Sequence, residues 1–214
     1  MTCDKRWRIL TVISGSLLFA CLVLFPITGK AEQREAEDSV RRMNSALLDS
    51  MKRAKEIGFR GRYKVLDPVI RDVFALPFMG EVSMGSNWKS LSLDQKKLFL
   101  DTYTDWTIAS YASNFDGYSG ENFKIREGQK ISGKTVIVVS NLVRPHEDTI
   151  DFNYSLRRIH DKWRIVDIRI EGVSQLAQTR SQFVTVMKKK GFDGLISSLK
   201  EKIAALRNKD QAEK

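Results

Sequence analysis

The chain has 214 residues, enough for one domain or for one domain with a helical appendage. Its 36 lysines and arginines outnumber 26 aspartates and glutamates, which gives a formal net charge of +10. Both cysteines, Cys3 and Cys21, lie close to the N-terminus, so the remainder of the chain has no thiol for a disulfide, a zinc–thiolate site or a cysteine nucleophile.

The N-terminus has the composition of a secretory signal. Residues 1–8 are rich in basic side chains, residues 9–27 are apolar, and Gly29 and Ala31 stand at the two positions that a signal peptidase reads. This pattern predicts a signal peptide over residues 1–31, with cleavage before Glu32. The apolar run is almost long enough to span a bilayer, so an uncleaved membrane anchor is the alternative.

Without residues 1–31 the formal net charge is +7. In an exported protein, such a surplus predicts transient contact with an anionic membrane surface or an acidic partner, and not with nucleic acid. The alternative is that the excess charge only keeps the protein soluble.

The first predicted helix covers residues 32–57, where apolar side chains recur at intervals of three and four, and it ends at Gly58. A second helix is expected to begin at "LDPVIRDVFAL". There Asp67 has the side chain of an N-cap and Pro68 suits the first helical position.

Two further helices precede the sheet. A short one is predicted from Pro77 to Gly85. A longer one begins at a capping box, with Ser92 as N-cap and Gln95 three residues later, and extends to about Ser113.

The hydrophobic period changes to two after residue 121. "NFKIREGQ", "KTVIVVSNLVR", "DTIDFNYSLRRI" and "KWRIVDIRIEG" are four strand candidates with connections short enough for antiparallel hairpins. Two helices follow, the first ended by Gly191, and residues 209–214 are predicted to be a disordered tail. This order predicts an α+β fold with a helical N-terminal part, a four-stranded antiparallel curved sheet and two C-terminal helices packed on the sheet.

Residues suited to catalysis are scarce. The two histidines, His146 and His160, fall in predicted turns, where neither is held as a general base. "GYSGE" at residues 117–121 lacks the second glycine of a nucleophile elbow and follows a helix where that motif follows a strand. We therefore expect no catalytic residue, no metal ion and no cofactor.

Asp167 is unusual because it is a carboxylate in the middle of a strand. Strict alternation places it on the same face as Trp163 and Ile165, where a charge needs a partner. A salt bridge to Arg180, which would fix the last strand to the following helix, is the favoured interpretation. An acid or base in an enzyme cavity is the alternative.

The strands and the helix before them carry a surplus of aromatic and aliphatic side chains. Ordinary core packing accounts for many of them, but a concave sheet facing helices also favours an internal chamber for an apolar ligand. The predicted ligand-binding residues are Trp106, Tyr111, Phe115, Phe123, Val136, Val138, Phe152, Tyr154, Trp163 and Ile165.

Three segments resemble a known family. "GFRGRYKVLDPVIRDVFALPFMG", "WTIASYASNFDGYSGENFKI" and "WRIVDIRIEGVSQLAQTRSQF" are similar to the MlaC and toluene-tolerance family of periplasmic lipid-binding proteins. Within that family, the glycines, the "YASNFD" corner and the complete "GYSGE" resemble the hopanoid-biosynthesis-associated, HpnM-like branch.

The resemblance implies a single lipid-binding domain over residues 32–208 with a cone related to nuclear transport factors, and no enzymatic activity. It also implies a periplasmic carrier that shields the apolar part of a phospholipid or a hopanoid. Such a carrier would exchange its cargo with an inner-membrane transporter and an outer-membrane acceptor complex.

Overall fold

The computed structural model describes residues 28–127 and 130–212. The predicted signal and its alternative, an uncleaved anchor, therefore lie almost wholly outside the described residues. In the part of the chain that is described, no helix is both long and apolar enough to cross a membrane. The α-helices are α1 (Thr28–Lys52), α2 (Ala54–Val73), α3 (Leu76–Met84), α4 (Leu93–Asn114) and α5 (Gln175–Ala212), with a 3₁₀ helix at Gly85–Ser90.

The second helix does not begin at Asp67. Instead α2 runs through Pro68, and the backbone departs from helical geometry only at Gly58, where φ is 57° and ψ is −174°. Its buried residues recur every three or four positions on both sides of the proline, and packing of this continuous face outweighs the cost of an internal proline. Asp67 forms an ion pair with Arg71 at 2.8 Å, one turn further along the helix.

The start of α4 is as predicted. The backbone N–H of Gln95 donates to the Ser92 hydroxyl at 3.1 Å, and the Gln95 side chain accepts from the Ser92 N–H at 3.0 Å. These two hydrogen bonds form the capping box and satisfy donors that the first turn leaves unpaired.

The described residues form seven strands, because the predicted second strand is interrupted and two short strands are added. The strands are β1 (Asn122–Ile125), β2 (Lys130–Ser132), β3 (Thr135–Val138), β4 (Ser140–Val143), β5 (Ile150–Ile159), β6 (Lys162–Ile170) and β7 (Val173–Ser174). At the interruption, Val139 accepts a hydrogen bond from the backbone of Arg126. The Asn153 side chain also accepts from the backbone of Ser140, so β3 and β4 separate here.

The long strand β5 is the centre of this antiparallel sheet. One of its edges pairs with β3 at one end and with β4 at the other, and these lead outward to β2 and β1. The other edge pairs with β6, which in turn pairs with β7. The α+β class is therefore confirmed, and the predicted count of four strands is wrong.

Helix α1 lies across the middle of one face of the sheet. The Tyr154 hydroxyl on β5 donates to the Asn44 side chain of α1 at 2.6 Å, and the Ser39 hydroxyl donates to the backbone carbonyl of Trp163 at 2.7 Å. Buried side chains fill the space between these hydrogen bonds, among them Val40, Met43, Val136, Val138, Leu156 and Ile165.

A β-bulge interrupts the pairing of β5 with β6. Leu156 pairs with Ile165 and Ser155 pairs with Asp167, so Val166 is an extra residue without a partner in the register. Here the carbonyl of Ile165 accepts a hydrogen bond from the backbone N–H of Ala75, which joins the strand to the segment between α2 and α3.

The bulge overturns the predicted role of Asp167. Beyond Val166 the side chains exchange faces, so Asp167 no longer shares a face with Ile165. Its carboxylate accepts a hydrogen bond from the backbone N–H of Leu176 at 3.1 Å, at the start of α5, and lies 4.0 Å from the Arg169 guanidinium. Arg180 is exposed and packs beside Gly85, and no ion pair joins it to Asp167 in the described part of the chain.

The C-terminal helix α5 packs on α3 and α4. At Gly191 its backbone leaves helical geometry, with φ at 68° and ψ at −171°. The two predicted helices are thus two segments joined by a kink at the predicted position. The second segment buries Leu195 and Leu199, and the helix continues to Ala212, into the predicted tail.

A carboxylate on α2 joins three elements. Asp72 forms ion pairs with Arg42 of α1 at 2.6 Å and with Lys162 of β6 at 3.5 Å. The hydrogen bond from Arg42 holds the pKa of Asp72 below its usual value, and Lys162 acts in the same direction.

We predict that Asp72→Asn destabilises the fold in a pH-dependent way. Because the folded-state pKa of Asp72 is lowered, its stabilisation is fully present above the unfolded pKa of about 3.9 and is lost as the pH falls through the folded value. Urea denaturation at pH 7 should show a loss of about 0.5–1.5 kcal/mol, the range for two partly exposed ion pairs, and the loss should disappear at strongly acidic pH. Asp101→Asn, which removes an exposed pair with Lys97, is the control and should change stability little. An equal loss from Asp72→Asn at all pH values would contradict the charge-based explanation.

The role of Asp167 gives a second prediction. Asp167→Ala removes one of two side-chain acceptors at the start of α5, the other being Ser174. It should lower the free energy of unfolding by about 1–2 kcal/mol, whereas Asp167→Asn, which keeps an acceptor oxygen, should cost less. Arg180→Ala should be nearly neutral, and a double-mutant cycle for the two residues should give a coupling energy close to zero. A coupling above about 1 kcal/mol would restore the ion pair predicted from the sequence.

Candidate functional site

A cavity of about 330 Å³ lies between α4, the start of α5 and the ends of β5 and β6. It is lined by Phe74, Met79, Tyr103, Trp106, Thr107, Ser110, Tyr111, Asn114, Phe115, Phe152, Ile168, Ile170, Gln175, Leu176 and Thr179. Its volume is at the lower end of the range of about 300–1,000 Å³ that is typical of small-molecule sites.

One face of α4 forms the longest wall of the cavity. Tyr103, Thr107, Ser110 and Asn114 follow one another at intervals of three or four residues, so their side chains lie along one stripe of the helix. The opposite side of α4 contributes to the core of the protein, where Ile108 is fully buried. The helix thus lies between the cavity and this part of the core.

The floor of the cavity is apolar and buried. Phe74, at the end of α2, and Met79, on α3, meet Phe152 of β5 and Ile168 of β6, and each of these four side chains is at most 7% exposed. The bulge at Val166 places Ile168 here, since without it the alternation along β6 would put this side chain on the opposite face.

The mouth of the cavity is formed by neutral polar side chains. Asn114, at the end of α4, is exposed, while Ser110 one turn earlier is half-buried. Gln175 and Thr179 of α5, also half-buried, face them across the opening. These polar groups lie among half-buried side chains such as Trp106, Phe115 and Leu176. The cavity is therefore apolar inside and mixed at the rim, which suits a molecule with one apolar and one polar end.

The tyrosines of the cavity wall are neutral at physiological pH. Burial raises the pKa of the Tyr103 and Tyr111 hydroxyls well above the usual value, and the nearby negative charge of Asp167 acts in the same direction. Among the described residues that line the cavity, none has an acidic or basic side chain. The interior therefore offers shape and apolar contact, and no charge for acid–base chemistry.

Four of the ten predicted ligand-binding residues line this cavity: Trp106, Tyr111, Phe115 and Phe152. Phe123 is half-buried on β1, and its ring packs edge-on against Phe152 at 5.8 Å without reaching the cavity. Whether any of them contacts a ligand remains a prediction.

The other five predicted residues are elsewhere. Val136, Val138, Tyr154, Trp163 and Ile165 are buried in the core beneath α1 and do not line the cavity. The prediction placed the chamber over the middle of the sheet, but α1 fills that space. The cavity lies instead towards the end of β6, next to the start of α5.

Sequence reasoning missed most of the polar rim and part of the floor. Tyr103, Ser110 and Asn114 lie three or four positions from Trp106 or Tyr111, so they are expected on the same side of the helix. The sequence therefore contained enough information to predict the wall formed by α4. Gln175, Leu176 and Thr179 had no comparable signal, because the turn between β7 and α5 decides which side of that helix faces the sheet.

Residues weighed for other chemistry lie outside the cavity. Asp167 does not line it but faces a more open groove of about 770 Å³ on the opposite side of the sheet, with Val166 and Arg169. His146 and His160 are exposed in turns with positive φ. In the part of the chain that is described, no group of three or more His, Cys, Asp or Glu side chains is arranged to hold a metal ion.

The MlaC protein family matches residues 41–201. The intermembrane phospholipid transport system binding protein MlaC of Haemophilus influenzae is 24% identical over 130 residues. That alignment covers 59% of this chain and 61% of the relative, so the chain spans less than two thirds of the relative's length.

A solved structure has the same fold. The phospholipid-binding protein of Ralstonia solanacearum, determined in complex with a phospholipid, superposes with a TM-score of 0.69 at 18% sequence identity. The superposition covers 81% of this chain and 97% of that protein. Since the family match alone extends over about three quarters of the sequence, the chain belongs to the MlaC family.

Proposed function

We propose that this protein is an exported, periplasmic lipid carrier that holds the apolar part of its cargo in the cavity between α4 and α5. The observation that carries this proposal is the cavity itself, with its buried apolar floor, its neutral wall and its polar mouth. Such a site suits an amphiphile whose apolar end enters and whose polar end stays near water.

Membership of the MlaC family supports transport over catalysis. The family comprises non-enzymatic lipid carriers, and this chain is not an enzyme. The relative from Haemophilus influenzae is named as the binding protein of an intermembrane phospholipid transport system, and the structural neighbour holds a phospholipid. The interpretation of Asp167 as a catalytic acid or base is accordingly dropped.

The energetics are consistent with a carrier that must also release its cargo. Burial of ten methylene groups is favourable by about 8 kcal/mol gross, at about 0.8 kcal/mol per group. Association costs about 4–15 kcal/mol in lost freedom of motion, which offsets much or all of that gain, so ten buried methylene groups alone give weak binding and easy release.

The finer assignments extend the proposal. The cargo would be a phospholipid or a hopanoid-type lipid, delivered between an inner-membrane transporter and an outer-membrane acceptor complex. The resemblance of three sequence segments to the hopanoid-associated branch supports the hopanoid option. The domain responsible would comprise residues 32–208, with residues 1–31 removed on export.

N-terminal sequencing of the exported protein would begin at Glu32 if the signal is cleaved, and at the start of the chain if the segment is kept as an anchor.

We predict that Ser110→Phe lowers the amount of bound lipid at least about tenfold. The phenylalanine ring would occupy the part of the cavity that the apolar chain of the lipid needs. The measurement is uptake from phosphatidylcholine vesicles by delipidated protein, quantified by mass spectrometry after re-isolation. Ser181→Phe, the same change at an exposed position of α5, is the matched control and should bind like the unchanged protein. Normal uptake by a folded Ser110→Phe variant would place the lipid outside this cavity.

A further inference from the structure

The mouth of the cavity has hydrogen-bonding groups that the protein itself does not use. In the described structure, the side chains of Asn114 and Thr179 have no internal hydrogen bond, and Gln175 uses only its amide N–H₂, which donates to the carbonyl of Val173 at 3.3 Å. The hydroxyl of Ser110, in contrast, donates to the carbonyl of Trp106 at 2.8 Å. Amide and hydroxyl groups that face water at the rim are available to a polar ligand group.

The start of α5 is the element at this mouth that would ordinarily attract an anion, because a helix N-terminus presents free N–H groups and a partial positive charge. Here two of those donors are already used. The carboxylate of Asp167 accepts from the backbone N–H of Leu176 at 3.1 Å, and the Ser174 hydroxyl accepts from that of Ala177 at 3.0 Å. Asp167 does not line the cavity, but its negative charge acts on Tyr103 and Tyr111 in the cavity wall, so it would also repel an anionic group of a ligand at this mouth.

The remaining charges near the opening do not reverse this. The end of α4 at Asn114 adds the partial negative charge of a helix C-terminus. Asp116 follows the lining residue Phe115, and Glu171 follows Ile170, and both acidic residues are exposed. Of the basic residues next to lining residues in the sequence, Arg169 lies on the opposite face of β6, beside Asp167, and Arg180, which follows Thr179, packs beside Gly85.

We propose, building on the carrier function above, that Asn114, Gln175 and Thr179 hold the polar end of the bound lipid through uncharged hydrogen bonds. The carrier consequently favours a zwitterionic or uncharged polar group over one with a net negative charge. Selection at this site is made by hydrogen bonding and by the lack of a basic side chain among the described lining residues, and it is independent of the apolar chain that fills the cavity.

The test is a competition among lipids with identical acyl chains. Delipidated protein is incubated with vesicles that contain equal amounts of phosphatidylcholine, phosphatidylethanolamine and phosphatidylglycerol, and the bound lipid is identified by mass spectrometry. We expect phosphatidylglycerol to be bound below its share in the vesicles. Raising NaCl from ~0.05 M to ~0.5 M, which shortens the screening length about threefold, should weaken that discrimination.

A lysine at the mouth should reverse the preference. Gln175→Lys is expected to raise the ratio of bound phosphatidylglycerol to phosphatidylethanolamine by about two- to fivefold, the range that one partly exposed charge pair supplies. Gln182→Lys, an equal change of net charge at an exposed position of α5 that does not line the cavity, is the matched control and should leave the ratio unchanged.

Thr179→Val tests the hydrogen bonds separately, because it keeps the shape of the side chain and removes the hydroxyl. It should reduce the retained amount of each lipid by about two- to tenfold, the range for one lost hydrogen bond, with Thr185→Val on the same helix as the control.

Enrichment of phosphatidylglycerol by the unchanged protein, or an equal effect of Gln175→Lys and Gln182→Lys, would overturn the inference while leaving the carrier function intact. A protein that takes up none of the three lipids would overturn a carrier function for phospholipids, and the inference with it.

Discussion

The extra residue in β6 is the constraint on which both the cavity and the attachment of α5 depend. Before Val166, the side chains of Trp163 and Ile165 point into the core beneath α1; after it, Ile168 turns to the same side of the sheet and forms the floor of the cavity. The same change of register sends Asp167 to the other side, where its carboxylate caps α5. One inserted residue thus places an apolar side chain on the floor of the cavity. It also positions the carboxylate that caps the helix beside the cavity.

The position of α4 is maintained from the opposite side by a buried cation. Arg62 of α2 is only 2% exposed, and its guanidinium donates to the carbonyl of Ala112 at 2.7 Å and to that of Ala54 at 3.2 Å. A buried guanidinium without acceptors would be strongly destabilising, so these hydrogen bonds hold the end of α4 close to α2. The wall of the cavity is therefore anchored to the core, and its mouth lies between an anchored helix end and the capped start of α5.

Local sequence signals predicted the elements whose stability is decided locally. The capping box at Ser92, the kink at Gly191 and the alternation along β5 depend on near neighbours, and each is present in the structure. The expected helix start at Asp67 was wrong because tertiary packing along one face of α2 outweighs the signal from Pro68. An interaction can be predicted from the sequence when its partners lie within a few residues of each other. It cannot be predicted in this way when the partners are distant along the chain.

The candidate site could be predicted only in part for the same reason. Aromatic residues on α4 and β5 were identified, since they are large and recur at regular spacing. The bulge has no recognisable sequence signal in "WRIVDIRI", so strict alternation assigned Asp167 to the wrong face. Nor does the sequence reveal that α1 occupies the middle of the sheet, which displaced the expected chamber from Val138 and Tyr154 towards Ile168.

The most direct test of this account is an experimental structure of the protein isolated with its natural cargo. We predict continuous density for an apolar chain that lies against Phe152 and Ile168 and leaves the protein between α4 and α5, with its polar end beside Asn114. A lipid bound only in the groove that contains Val166, or a cavity closed by the protein's own side chains in a protein that carries no lipid, would contradict it.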